Sequence, residues 1–329
     1  MGERATRSYW VDGPCNGSLR VHQDPRSSDQ HTSWVQTEYS GISVGTERLV
    51  GRGEVPPACV QHMPCRYMEG DLALPVKYGY SLVGTAIEGA LAGERLFVMH
   101  PHQNFAFIQN THATILPESI PARRATLIPN METALNAFWD ADMAEDEQAV
   151  VIGAGAVGIL VAYVLWRQTG RKVHIAEVHP TRASLAEALP WVDSVVPPED
   201  LPRAQAQVAF HTSGYGEGLQ CALHAVGFEG RVIELSWYGT REVQIDLGAD
   251  FHYQRKRIQA SQVASIAPSR RATHDYEARL REVLALLDHP GLDNLLGEPI
   301  PFEDMPSMMA SIYAGQPTAP LPVVSYPAP

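Results

Sequence analysis

Three glycines in the stretch Gln148–Val161, QAVVIGAGAVGILV, carry the strongest chemical signal: Gly153, Gly155 and Gly158 stand in G-x-G-x-x-G spacing. Each has its own task at a pyrophosphate. The first permits a tight turn, the second lets the backbone approach the phosphates, and the third lets the following helix pack close to its strand. That helix offers free N–H groups and the positive end of its dipole to the anion. The context supports the motif: a strand-like apolar run precedes it, a helical pattern (Ile159–Trp166) follows, and a second strand, Lys172–Ala176, ends in Glu177. Glu177 lies 19 residues after Gly158, near the separation of about 20 at which an acidic side chain reaches the adenosine ribose hydroxyls. A carboxylate there repels a 2′-phosphate, so NAD is expected over NADP. His179 and Arg182 follow closely, and an arginine in this loop can instead clamp that phosphate. The bland alternative for the whole stretch is a strand–turn–helix with small residues for packing.

A second group of titratable residues lies in VMHPHQN, where His100 and His102 flank Pro101. Histidine titrates near neutrality and can shuttle a proton; the competing expectation is two surface-loop histidines. An H-x-H pair alone lacks a third metal ligand. Glu132 reads either as a buried carboxylate at the domain junction or as a helix N-terminal acid facing the dipole. Trp237 and Tyr238 follow the strand RVIELS, beyond whose carboxyl end ligands bind in a doubly wound sheet. They read as a flat substrate wall or as interdomain packing.

Residues 1–35 suit a small antiparallel β region. SWVQTEYSGIS alternates like a strand and runs into a loop, Ser40–Val50; Gly51–Leu74 reads as a long loop covering a cleft. Pro75–Ala90 reads as a strand interrupted by Gly79 and Gly84, and Gly93–Asn110 as a strand pair with a histidine-containing turn. The pattern turns helical around ATLIPNMETALNAFW, with Ala125, Leu127, Met131, Ala134, Leu135 and Phe138 as candidate buried positions. Beyond it VVIGAG, KVHIAEV, DSVVP, QVAFHTSG, RVIELSWYG and RIQASQV are six strand candidates alternating with helices, as in a parallel sheet. An amphipathic helix over Ala272–Leu287 and a Pro-rich tail end the chain, and LPVVSY is placed to return a strand to the first lobe.

With 329 residues, two lobes are expected. A net charge of −12 disfavours nucleic acid as partner. The four cysteines, Cys15, Cys59, Cys65 and Cys221, are too few and scattered for a disulfide framework. Neither a secretory h-region nor a long apolar run is present, so no membrane association and a cytoplasmic location are expected.

The motifs together resemble the medium-chain dehydrogenase/reductase superfamily, the zinc-type alcohol dehydrogenases. The resemblance rests on YSGISVGTE (Tyr39–Glu47), KYGYSLVG (Lys77–Gly84), GERLFV (Gly93–Val98), NMETALNAFWDA (Asn130–Ala141), GAGAVG, AEVHPTR (Ala176–Arg182), HTSG (His211–Gly214) and GRVIELSWYG. The loop YSGISVGTE is also similar to that of the bacteriochlorophyllide hydroxyethyl dehydrogenases, a zinc-poor branch. The implied architecture is α/β, a Rossmann doubly wound parallel sheet plus a β-rich GroES-like catalytic domain. The implied boundaries are 1–125 for the catalytic domain, 126–265 for the Rossmann domain and 266–329 for a return to the catalytic domain. Metal-dependent members hold zinc with two cysteines and a histidine; those places fall here at Ser43, Tyr80 and near Pro129, which do not make a zinc shell. The four-cysteine structural zinc lobe is missing too, so no zinc is expected.

The resemblance sets Tyr80 at the catalytic cleft, as a proton donor to a carbonyl or as filler of the vacated metal site. Lys77 is a candidate to lower its pKa. His102 is a second proton-transfer candidate, and Ser43, Thr46 and Glu47 are placed to complete a relay to water or to serve as loop-turn residues. Lys77, His100, Glu132, Trp237 and Tyr238 are expected around the substrate. Besides the glycines, Ala156, Val157, Glu177, Arg182, Thr212, Ser213, Gly214, Ser236 and Thr133 are expected around NAD, with Arg182 lying against adenine or ribose as the basic residue does in NAD-using relatives. The leading expectation is zinc-independent hydride transfer between an alcohol and a carbonyl on a mid-sized substrate. Reduction of an activated C=C bond is the alternative, and a non-redox protein retaining the fold is the third. A homo-oligomer, dimer or tetramer, assembled through Rossmann sheet edges is also implied.

Overall fold

The computed structural model describes residues 5–23, 30–316 and 318–327. Its chain divides into two units, Met1–Pro129 with Leu292–Pro329, and Asn130–Gly291. The first unit opens with the antiparallel pair β1 (Ala5–Gly13) and β2 (Asn16–Gln23), then β3 (Thr32–Gly41). Helix α1 (Val44–Gly51), the four-residue α2 (Pro57–Val60) and the short strands β4 (Glu69–Gly70) and β5 (Val76–Lys77) follow. Next come β6 (Leu82–Gly89), β7 (Arg95–Val98), β8 (Phe105–Gln109), β9 (Ala113–Ile115) and α3 (Ala122–Ala125). One sheet runs β2-β1-β5-β4, and the larger one is built on β3-β6-β7-β9 with β8 added to β3. Val35, Leu82, Ala86, Leu96, Val98, Ala106 and Ile108 form the core behind it.

Several sequence expectations change here. The expected loop Ser40–Val50 contains α1: Glu47 turns back to the helix start, where its carboxylate suits the dipole. The stretch expected as one long loop, Gly51–Leu74, holds α2 and β4. The strand expected over Pro75–Ala90 is two strands in two sheets, broken at Gly79, whose φ of +126° favours glycine. Gly84 does not interrupt β6; a Cβ there would stand 2.1 Å from the Gln36 carbonyl oxygen, so glycine lets β3 come close. β7 and β8 both exist, but β8 pairs with β3 rather than with β7.

The second unit is opened by α4 (Ile128–Ala141) and continues β10 (Ala149–Ile152), α5 (Ala156–Thr169), β11 (Val173–Ala176), α6 (Pro180–Glu187) and β12 (Val192–Val196). It goes on through β13 (Ala206–His211), α7 (Gly216–Ala225), β14 (Val226–Glu234), α8 (Asp250–Tyr253), β15 (Arg257–Ala260) and α9 (Tyr276–Leu287). All six expected strands pair in parallel, in the order β12-β11-β10-β13-β14-β15. The order reverses between β10 and β13, which creates the crevice where doubly wound sheets bind ligands.

The chain then returns to the first unit with β16 (Ile300–Pro301), α10 (Met305–Tyr313) and β17 (Val323–Ser325), the last antiparallel to β3. The returning strand was expected; the boundary at 265 differs. α9 stays in the second unit because Arg279 on it donates to Asn136 Oδ1 (3.1 Å) and to the Val263 carbonyl (2.7 Å). Among the described residues, no helix is long and apolar enough to cross a membrane.

Candidate active site

The glycine turn has the geometry its spacing predicts. Gly153 has a φ of +105°, and a Cβ on Gly158 would stand 1.9 Å from the Gly153 carbonyl oxygen, so strand and helix meet only through glycine. Gly155 differs. Nothing stands within 4 Å of a Cβ built there, which leaves an open cradle at the backbone. Helix α5 has Gly155 at its N-cap and no side-chain cap, so the first-turn N–H groups of Ala156, Val157 and Gly158 are left for an anion. Thr212 braces the turn by donating to the carbonyls of Ile152 and Gly153, both at 3.0 Å.

Glu177 is buried at the end of β11 and accepts from the Ala154 N–H (2.7 Å) and the His179 N–H (2.8 Å). A carboxylate has about four lone-pair sites, so capacity remains for hydroxyl donors. Beside it, His179 Nδ1 and Arg182 Nε are buried without a partner among the described residues. Such orphaned donors suit the polar face of a ligand. The open cradle and the orphaned atoms fit a dinucleotide.

The other residues expected around the cofactor make these contacts within the lobe. Ser213 bonds to His211, Ser236 Oγ accepts from the Gly214 N–H (3.0 Å), and Thr133 lies half-buried on α4. Tyr238 donates to Glu234 at 2.9 Å and its ring stacks on His211. Burial and the Glu234 charge push its phenol well above the usual range. Trp237 is half-buried beside it. Glu132 is paired with Arg279 at 3.1 Å, and burial raises its carboxyl against that partner's opposing charge.

In the first unit, the YSGISVGTE and HPHQ segments come together. His102 Nε2 lies 2.9 Å from Glu47 Oε2, and both side chains are buried. The carboxylate accepts, so Nε2 carries the proton and, in the neutral ring, Nδ1 accepts from Ser40 Oγ at 2.7 Å. Ser40 in turn accepts from the Tyr326 hydroxyl at 2.9 Å. Glu47 Oε1 receives the Ser43 N–H at 2.7 Å. Four side chains thus form one hydrogen-bonded chain from α1 to the end of β17. Gly79 makes room for it, since a Cβ there would stand 2.6 Å from His102 Cδ2.

Tyr80 lies next to this chain, half-buried, with the hydroxyls of Ser43 and Thr46 on its phenol. Burial first, and then the Glu47 charge, push the phenol pKa up. The expected lowering by Lys77 therefore does not occur. Lys77 is buried on β5 and committed to Glu69 and to Gln103 Oε1 (3.1 Å), which also removes it from the substrate candidates. The expectation of surface-loop histidines is also overturned, because both rings are buried. His100 packs on Tyr67 (4.9 Å between centroids), donates from Nδ1 to the Pro101 carbonyl, and is held by burial at a pKa of about 3. It is a neutral packing residue.

Ser40, Tyr326 and Glu234 were not singled out from sequence. Ser40 lies within YSGISVGTE with nothing in the motif to mark it, and Tyr326 carries no signal because its partner is 286 residues away. Glu234 had one weak signal, a charge inside the apolar run RVIEL.

The second unit is a Rossmann domain and the first a β-rich domain, the pairing found in alcohol dehydrogenases. No family model matches the chain. An uncharacterized zinc-type alcohol dehydrogenase-like protein of Escherichia coli K12, YphC, is 22% identical over 184 residues, 53% of this chain and 52% of that protein. A second such protein, from Haemophilus influenzae, is 26% identical over 211 residues, 60% of this chain and 57% of that one. The matched region thus spans about half the length of these curated relatives. Among solved structures, a putative zinc-binding dehydrogenase from Sinorhizobium meliloti bound to NADP superposes with a TM-score of 0.76 at 16% identity, covering 98% of this chain and 100% of that one. A short chain alcohol dehydrogenase from E. coli CFT073 complexed with NADH gives 0.75 at 14%, covering 98% and 99%. The chain is thus similar to zinc-type alcohol dehydrogenase-like proteins over about half of their length and shares the fold of solved dehydrogenases.

Proposed function

We propose that the protein is a zinc-independent, NAD-dependent oxidoreductase that interconverts an alcohol and a carbonyl on a mid-sized organic substrate. One observation carries the reading: where metal-dependent members of the medium-chain superfamily place metal ligands, this chain sets Tyr80 and Ser43 against the buried chain Glu47–His102–Ser40–Tyr326. Zinc needs three or four Cys, His or carboxylate ligands. Ser43, Tyr80 and Pro129 are not that set, and Glu47 and His102 are committed to each other, so no step is assigned to a metal.

A nicotinamide bound through the glycine turn would supply or take the hydride. Tyr80 then handles the oxygen. With its pKa raised it stays protonated at neutral pH, a donor to a carbonyl, and it gives up its proton as that oxygen becomes an alkoxide. Ser43 and Thr46 hold the phenol oxygen. In the buried chain Tyr326 donates to Ser40, Ser40 to His102 and His102 to Glu47, so a proton moves along it towards Glu47, beside Tyr80, to restore the phenol.

NAD is proposed over NADP because the Glu177 carboxylate would meet a 2′-phosphate at close range; the structural neighbours include one with NADH and one with NADP. A cytoplasmic location is supported by four free thiols, and a homo-oligomer by the open edge of β15, largely exposed. The test is turnover of a carbonyl panel and an enone panel with NADH, by wild type and Tyr80→Phe. Enone turnover without carbonyl turnover would replace the reaction by C=C reduction. No nicotinamide oxidation with either would sink the redox reading.

A further inference from the structure

The second unit holds a constellation that hydride transfer does not use. His211, at the end of β13 and fully buried, has its Nδ1 at 2.9 and 2.8 Å from the two carboxylate oxygens of Glu234, at the end of β14. The carboxylate can only accept, so Nδ1 carries the proton and the Nε2 lone pair faces outward from the pair. Ser213 Oγ lies on that lone pair at 2.6 Å. Glu234 is itself held by the Ser236 N–H (2.7 Å) and the Tyr238 hydroxyl (2.9 Å), which fix the orienting acid. A hydroxyl on a base, and the base on a carboxylate, is the arrangement that activates a serine nucleophile.

The surroundings suit that chemistry. Ser213 sits on the turn from a parallel strand into α7, the position from which a nucleophile is presented in strand–turn–helix elbows. Helix α7 has no side-chain cap, so its first-turn N–H groups, from Gly216 onward, begin three residues beyond the serine, available to an oxyanion. A cleft of about 930 Å³ is lined among others by Gly214, Tyr215 and Gly216, which follow Ser213 in the chain, and by Tyr238, which donates to Glu234. Gly218 keeps the serine in place: a Cβ there would stand 2.2 Å from Ser213 Oγ and 2.8 Å from His211 Nε2.

We propose that Ser213 is an activated nucleophile that takes acyl groups from small carboxylic esters, with His211 as its base and Glu234 as the residue positioning that base. Ser213 Oγ bonds to the ester carbonyl carbon as its proton passes to His211 Nε2. The carbon–alkoxy bond then breaks, and the alkoxide leaves with that proton as the alcohol. Water, deprotonated by the same ring, releases the carboxylic acid and restores the serine. No redox partner is needed.

The test uses p-nitrophenyl acetate and a fluorophosphonate probe on the whole chain. Wild type releases p-nitrophenolate above the buffer rate, and one probe equivalent is mapped to Ser213. Ser213→Ala loses both. His211→Gln and Glu234→Gln slow labelling by about 10²-fold or more, the lower range for a lost general base, while near-ultraviolet circular dichroism stays native. Glu234→Asp restores part of the rate, which loss of packing alone would not predict. Gly218→Ala slows labelling by pushing the hydroxyl off the ring. Labelling that is absent, maps elsewhere, or proceeds equally in folded Glu234→Gln overturns the proposal.

Discussion

Gly155→Ala separates the fold from the cofactor cradle. Gly155 has φ −76° and ψ 178°, a conformation alanine adopts freely, and no atom lies within 4 Å of the added Cβ. Alanine gains about 0.4–1 kcal/mol through the unfolded chain and loses roughly the same for being a poorer N-cap than glycine. The two offset, so apo stability should stay within about 0.5 kcal/mol. The methyl, however, fills the space through which a pyrophosphate approaches the backbone. Losing one N–H bond to a charged oxygen costs about 1.5–3 kcal/mol, which is roughly tenfold to 150-fold in affinity. Thermal melts of the apo protein and NADH titration by fluorescence read the two quantities independently. An NADH affinity within twofold of wild type, with an unchanged melt, would refute the placement of pyrophosphate at this turn.

Tyr80→Phe should lower turnover by about 10²–10⁴-fold with the NADH dissociation constant unchanged; equal turnover where chemistry limits the rate makes the tyrosine filler. Tyr326→Phe keeps Ser40, His102 and Glu47 in place and removes the outer hydroxyl, so turnover should fall by less than Tyr80→Phe does, and an unaltered rate disconnects Tyr326 from proton transfer. His100 is neutral when folded down to about pH 3, whereas the unfolded ring protonates near 6.5. Between those values the unfolded state binds the extra proton, so stability falls as pH drops, by up to about 1.4 kcal/mol per pH unit. Urea titrations of wild type and His100→Phe across pH 4–7 should show the slope flattened in the variant. Glu177→Ala should weaken NADH binding and narrow the gap to NADPH; an unchanged ratio means the carboxylate serves only the Ala154 and His179 N–H groups.

The parts of the fold that were legible in the sequence are local. The second unit announced itself because β10, the glycine turn and α5 are contiguous, and each glycine is required by contacts a few residues away. The six strands could be read for the same reason. Pairing in the first unit could not. β7 and β8 are close in sequence yet lie on different neighbours, since β3 offers both edges and β8 takes one. Glu47 and His102 were both named, but separately, because nothing in their spacing shows that Gly79 opens the gap that lets them touch. Lys77 misled for the opposite reason: it is three residues from Tyr80 in sequence, but β5 belongs to the other sheet. The acid at position 234 read as one polar residue in an apolar strand, and only the parallel register of β13 with β14 sets it opposite His211.

The discontinuity of the first unit has a consequence for how the chain is made. Tyr39–Gly41 of β3 leaves the ribosome long before Val323–Ser325, its antiparallel partner. At about 5–20 residues per second, the interval is roughly 15–60 s. Through that interval the second unit, whose sequence is continuous, can be synthesised and folded whole, while the first waits with part of one strand edge uncovered. An open edge invites pairing with whatever strand arrives. The returning segment therefore acts as a late closure. Conditions that slow translation after residue 291 should raise the burden on chaperones more than the same delay earlier in the second unit.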